Sequence, residues 1–132
     1  MSSSRTSRVG AVALLAMLIG TSSTVFADDA SRSGTFAGLN DHATTGSVTL
    51  EQSGNAYHVV LGDDFSFDGA PDPKVALGKG GEYDAATLMG LLESYSGTQR
   101  FEVPAGIDVA DYDEVYIWCE KYSVGLGVAT LN

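Results

Sequence analysis

Cys119 and Trp118 stand side by side near the C-terminus, and they are the only cysteine and the only tryptophan of the chain. A lone thiol can be a redox group, a ligand, half of an intermolecular disulfide, or a small buried hydrophobe. Few other side chains offer reactive or ligating atoms. Beyond residue 27 the sequence has the histidines His42 and His58 and the methionine Met89. Together with Cys119 these are the donor types of a blue-copper site. The spacing argues against copper as a cofactor. Such a site places a histidine and the methionine just after the cysteine, and nothing after Cys119 supplies them. Haem held by Cys119 or His42 stays open, with Trp118 alongside, although no Cys-x-x-Cys-His run provides covalent attachment.

His42 lies in a loop near a strand start, where it can assist the thiol or simply bond the backbone. His58 reads as a partly exposed strand residue. Asp63, Asp64, Asp68 and Asp72 lack the alternating oxygens and closing Glu of an EF-hand, and turn formation explains them better. Zinc motifs, a nucleophile elbow and a phosphate-cradling glycine loop are all missing, so a hydrolase has no support.

The elements that must hold these groups are strands. Val115, Ile117 and Cys119 fall on one face of a period-two pattern, and Tyr116 and Trp118 on the other. Bulky apolar groups on both faces indicate a strand covered on both sides, near the middle of a sheet. Gly125 and Gly127 bend the chain before a last strand over Val128–Leu131. Upstream, Thr45–Glu51 alternates with Val48 and Leu50 inward, Ser53-Gly54-Asn55 forms a hairpin turn, and Ala56–Leu61 returns. Ser33–Ala37, Lys74–Leu77 and Gln99–Val103 are further strands. Asp84–Tyr95 fits two descriptions. Leu88, Leu91, Leu92 and Tyr95 have helical spacing and Asp84 can cap, but Gly90 interrupts, and the surroundings favour extended chain. About seven to eight short strands with Gly, Pro and Asp punctuation predict an all-β fold, an antiparallel sandwich or partly open barrel.

Residues 1–27 read as a cleavable secretory signal helix, with Arg5 and Arg8 before the apolar run Val9–Ile19 and small residues ahead of cleavage after Ala27. The run is short for a membrane span. The expected domain is therefore residues 28–132, exported to the periplasm or secreted, with no membrane insertion after cleavage. Loss of Arg5 and Arg8 takes the formal charge from -10 to -12. That acidity argues against nucleic acid, suits solubility, and would steer a cationic redox partner protein. An oxidising compartment normally uses cysteines in pairs, and one cysteine cannot pair within the chain. A redox thiol must also be reachable, which places the expected sulfur at a pocket or a sheet edge.

Several blocks run through nearly the whole of this domain: Gly34-Thr-Phe36, His42 with Gly46, Val48-Thr-Leu50, Asp64-Phe65, Asp68–Asp72 leading to Val75-Ala-Leu77, Gly97–Phe101, and Val115-Tyr-Ile-Trp-Cys119. On these the chain resembles the DM-thirteen electron-transfer domain, also found in the animal protein Skeletor. The resemblance implies a strand-rich fold and an accessory redox module in which Cys119 works as a bare thiol or holds a prosthetic group such as haem. The chain departs from the family pattern at Ala70, an insertion in the Gly-Pro-Asp turn, and at Pro73, where an apolar residue is usual. The competing reading of the residues is a non-catalytic binding module with a structural cysteine.

Overall fold

A computed structural model describes residues 31–132; the segment read as a signal helix, residues 1–27, lies outside the described residues. The fold is all-β. In chain order the strands are β1 Arg32–Gly38, β2 Thr44–Thr45, β3 Ser47–Ser53, β4 Ala56–Leu61, β5 Ser66–Phe67, β6 Pro73–Lys79, β7 Glu82–Asp84, β8 Gly90–Leu91, β9 Gln99–Glu102, β10 Glu114–Cys119 and β11 Val124–Thr130. The main sheet has the order β7-β6-β10-β11-β1-β3-β4-β9, with β8 also on β6, and it curls into an antiparallel half-barrel. β2 and β5 form a separate small pair. The extra strands beyond the expected set are the two- and three-residue pairings β2, β5, β7 and β8, too short to leave an alternation in the sequence.

β1 is the seam that lets the sheet curl. Its first half pairs β3, from Arg32 opposite Leu50 to Thr35 opposite Ser47. Its second half pairs β11, from Phe36 opposite Ala129 to Gly38 opposite Gly127. The crossover is tight: a Cβ on Gly34 would sit 2.1 Å from the Thr130 carbonyl oxygen, so only glycine fits there. Inside the curl, Val48, Leu50, Val59, Leu61, Val75, Leu77, Val115 and Ile117 are sealed. This is the apolar set that alternation assigns inward.

The β3–β4 hairpin closes as expected, with Ser53 opposite Ala56 and Gly54 left-handed at φ 64°. Asp84 does cap a helical turn, its Oδ1 accepting from Ala86 N at 2.9 Å, but the turn is a single 3-10 turn over Ala85–Thr87. It stops because Thr87 Oγ1 accepts the Leu77 N–H of β6 at 2.7 Å, and because Gly90, at φ 150°, turns the chain into β8. The helical spacing of leucines is thereby broken up: Leu92 is buried, while Leu91 and Tyr95 are exposed.

Two aspartates pin the long loop after β4. Asp64 Oδ1 accepts from Ser47 N at 2.9 Å and Ser47 Oγ at 2.8 Å, and these bonds hold its carboxyl below the usual aspartate range. Asp68 is likewise lowered, first by the Ala43 N–H and then by His42. A carboxyl lowered by folding stabilises the native state above its unfolded value of 3.8 and ceases to as pH falls through its folded value. Stability is therefore expected to drop below about pH 4. The melting temperature should fall less between pH 5 and pH 3 in the Asp64→Asn, Asp68→Asn double variant than in the parent. An equal fall would show that other groups carry the acid sensitivity.

Candidate functional site

β10 carries the residues singled out by chemistry, and the pleat sends them to opposite faces. Val115, Ile117 and Cys119 point into the curl, and Tyr116 and Trp118 point out. Cys119 is the last residue of the strand, opposite Pro73 of β6 and Val124 of β11. It is 1% exposed and belongs to the hydrophobic core cluster. The expected sulfur at a pocket or edge is therefore not what the fold provides, because the inward parity of β10 buries it. Lys121 does not share its face, since the strand ends at Cys119. The Lys121 ammonium lies instead 5.4 Å from the centre of the exposed Tyr122 ring.

His42 follows the Asn40-Asp41 turn, both of whose residues are left-handed. Its Nδ1 lies 2.9 Å from Asp68 Oδ1, and the other carboxylate oxygen accepts from Ala43 N at 2.9 Å. Its ring centre stands 5.8 Å from that of Phe67. The carboxylate orients the imidazole and ties the β1–β2 connection to the loop after β5. His42 and Cys119 line none of the grooves described below. The thiol faces packed apolar side chains, while the histidine faces a surface loop. As arranged, the pair does not fit a haem, which needs ligands converging on one cavity.

His58 lies on the outer face of β4, opposite Glu51 of β3 and Glu102 of β9. Its Nδ1 is buried without a partner. Met89 packs against the core in the β7–β8 connection. Three of the four aspartates have local work: Asp64 and Asp68 as above, and Asp72 at 3.7 Å from Lys74 Nζ. Among the described residues no cluster of three His, Cys, Asp or Glu side chains is gathered for a metal ion. Pro73, the departure from the family pattern, is buried and fills the apolar slot beside Cys119. Ala70 turns its carbonyl to the Tyr95 hydroxyl, which donates at 3.0 Å.

On the outer face of β10 Tyr116 is buried, and Trp118 is the ring that meets solvent. Trp118 is half-buried, with Tyr83 of β7 stacked on it at 3.6 Å between ring centres and 18° between planes. Tyr116 stands perpendicular to the indole at 6.2 Å. Tyr116 lies over Gly78, where a Cβ would come within 2.4 Å of its ring. Beside these rings runs a groove of about 470 Å³ between the β1–β2 connection, β10 and β11. Two smaller depressions lie at Glu82–Tyr112 and at Tyr57–Pro104. Burial, and then the neighbouring Glu114, Asp113 and Glu82 carboxylates, push the Tyr116 hydroxyl up to about 12. Sequence reasoning found Trp118 here but missed Tyr83 and Glu114. Tyr83 reaches the indole only through the β6–β7 register, which no spacing in the sequence encodes.

The model of the family described as electron transfer DM13 matches residues 35–131, nearly all of the described chain. The chain belongs to the DM13 electron-transfer family. No curated protein and no solved structure matches it. Membership makes this a redox-related module. In this DM13 domain the Val115–Cys119 block that carries the resemblance is a central strand flanked by β6 and β11, with its thiol and its indole on opposite faces.

Proposed function

We propose that this DM13 domain is an exported accessory module of an electron-transfer system. It meets a cationic redox partner across the outer face of the large sheet, while Cys119 packs the inner face. The observation that supports this reading is the 1% exposure of Cys119 next to a half-buried Trp118 at a groove. A thiolate that attacks a disulfide or takes a ligand needs access, whereas a sealed thiol behaves as a small hydrophobe. The Arg5–Ala27 signal pattern supports export, to the periplasm or beyond the cell, and the net charge of -10 supports a cationic partner.

Incubation of the native protein with oxidised glutathione, followed by intact mass, tests the role of the thiol. No adduct is expected while the chain is folded, and one adduct per chain is expected after unfolding. An adduct within minutes on the folded protein would overturn the packing role. The absorption spectrum of protein purified from its own host tests separately for a bound haem.

One observation favours a second reading, the bare redox thiol. Cys119 ends β10 at the Glu120–Ser123 turn, whose Ser123 is left-handed at φ 53°. Opening that turn alone would uncover the sulfur. Under this reading the adduct forms on the folded protein, and it forms faster than global unfolding allows.

A further inference from the structure

The outer-face groove has a lining of one sign. Leu39, Asn40, Tyr116, Trp118 and Val128 contribute its walls, and Glu114 is the one charged residue among the lining side chains. Lys74, opposite Trp118, is engaged elsewhere, bonded to Glu120 and close to Asp72, and Lys79, next to the Gly78 that faces Glu114, lines the neighbouring depression with Glu82 and Asp84. Glu114 sits at the end of the groove, anchored by the Gly81 N–H to both of its oxygens at 3.0 and 3.1 Å. The Tyr116 hydroxyl lies against the same carboxylate, which keeps a lone pair free for a further donor. The half-buried indole and the rim of the Tyr116 ring beside a carboxylate, with no cation among the lining residues, form a surface that attracts a positive group twice, by ring quadrupole and by charge.

We infer that this groove receives an arginine-bearing segment of the partner protein, its guanidinium set against Tyr116 and Trp118 and paired with Glu114. The inference rests on the proposed docking across the outer face and specifies the chemistry of that contact. Charge complementarity selects the occupant. The whole chain is acidic at -10, which draws a basic partner in, and the groove offers the carboxylate and rings that seat one. Arginine suits the site better than lysine, because its flat, weakly hydrated guanidinium stacks on rings while it bonds a carboxylate.

Trp118 is the only tryptophan of the chain, so intrinsic fluorescence reports on the groove directly. The experiment is a titration of the full-length mature protein with a capped tetra-arginine peptide at low and moderate salt. A capped tetra-lysine peptide and a neutral cello-oligosaccharide serve as comparison probes. Saturable change of the Trp118 emission is expected with tetra-arginine. Glu114→Gln should weaken it about three- to tenfold, and Glu102→Gln, on the far β9 strand, should leave it unchanged. Equal weakening by both variants would reduce the effect to diffuse attraction and overturn the site. So would the absence of any emission change, or a stronger response to the sugar. None of these outcomes bears on Cys119, whose glutathione test stands apart, so failure of the groove and failure of the packed-thiol reading are told apart.

Discussion

Alkylation of Cys119 in the folded protein should run at least about a thousandfold more slowly than in the chain unfolded by denaturant. Cys119 is 1% exposed and lies inside the curl with Ile117, Val115 and Val75 on the same face. Reagent can reach it only from an opened state. If the opening is global, its free energy is the stability of the domain, ordinarily about 5–15 kcal/mol, which corresponds to more than three decades in rate. The dependence on denaturant then identifies the opening. A slope equal to that of equilibrium unfolding means that the whole sheet must part, as expected for a core residue. A shallow slope with fast labelling would locate the event at the Glu120–Ser123 turn and return the thiol to the redox role. The same experiment on Cys119→Val, which has no thiol to label, should show no modification and near-parent stability, because valine suits a buried apolar slot.

The inward position of Cys119 was already written in the alternation of Val115, Ile117 and Cys119. What pulled toward an accessible sulfur was its solitude in a chain that reads as exported and the family resemblance, neither of which encodes a face. The β3–β4 hairpin and the central strand β10 were legible for the same reason. Each has one clean period-two run with bounded ends, and Gly54-Asn55 or the bend after Cys119 closes it. The seam at β1 was not legible. It depends on Gly34 meeting the Thr130 carbonyl across almost the full length of the domain, and an isolated glycine in a strand does not announce which backbone approaches it. Asp84–Tyr95 stayed ambiguous because the decision was made by a tertiary bond, Thr87 to β6, against a local leucine spacing that favoured helix. The partner of His42 was invisible for a similar reason. Asp68 is 26 residues away, and only the loop after β5 brings the carboxylate to the ring. The aromatic groove was half legible, since Tyr116 and Trp118 share a face by parity, while Tyr83 arrives by register.

Phe65→Ala should cost about 3–5 kcal/mol, the usual loss for deleting a buried phenyl ring. Phe65 lies in the loop between β4 and β5, where propensity would place it at the surface, yet it is 1% exposed. Its ring meets Phe36 of the seam strand edge-on, with centres 5.6 Å apart. Its backbone is held on both sides, the N–H donating to Gly62 O at 3.0 Å and the carbonyl accepting from Gly97 N at 3.0 Å. Gly46 presses against it so closely that a Cβ there would lie 2.5 Å from the Phe65 Cα. With the backbone fixed in this way the site cannot collapse, and the cavity cost adds to the lost transfer energy. Such a loss is about a fifth or more of the stability of an ordinary domain, and the melting temperature should fall by more than about 10 °C. Calorimetry on Phe65→Ala, Phe36→Ala and the double variant then isolates the ring contact, expected at about 0.5–1.5 kcal/mol of coupling. A single-variant loss under about 1 kcal/mol would mean that the ring does not plug the half-barrel. Below its melting point the variant should keep the parent emission of Trp118, because Phe65 braces the inner side of the seam and the indole faces outward from β10. Stability and groove are thus expected to separate, the plug serving the first and the outer rings the second.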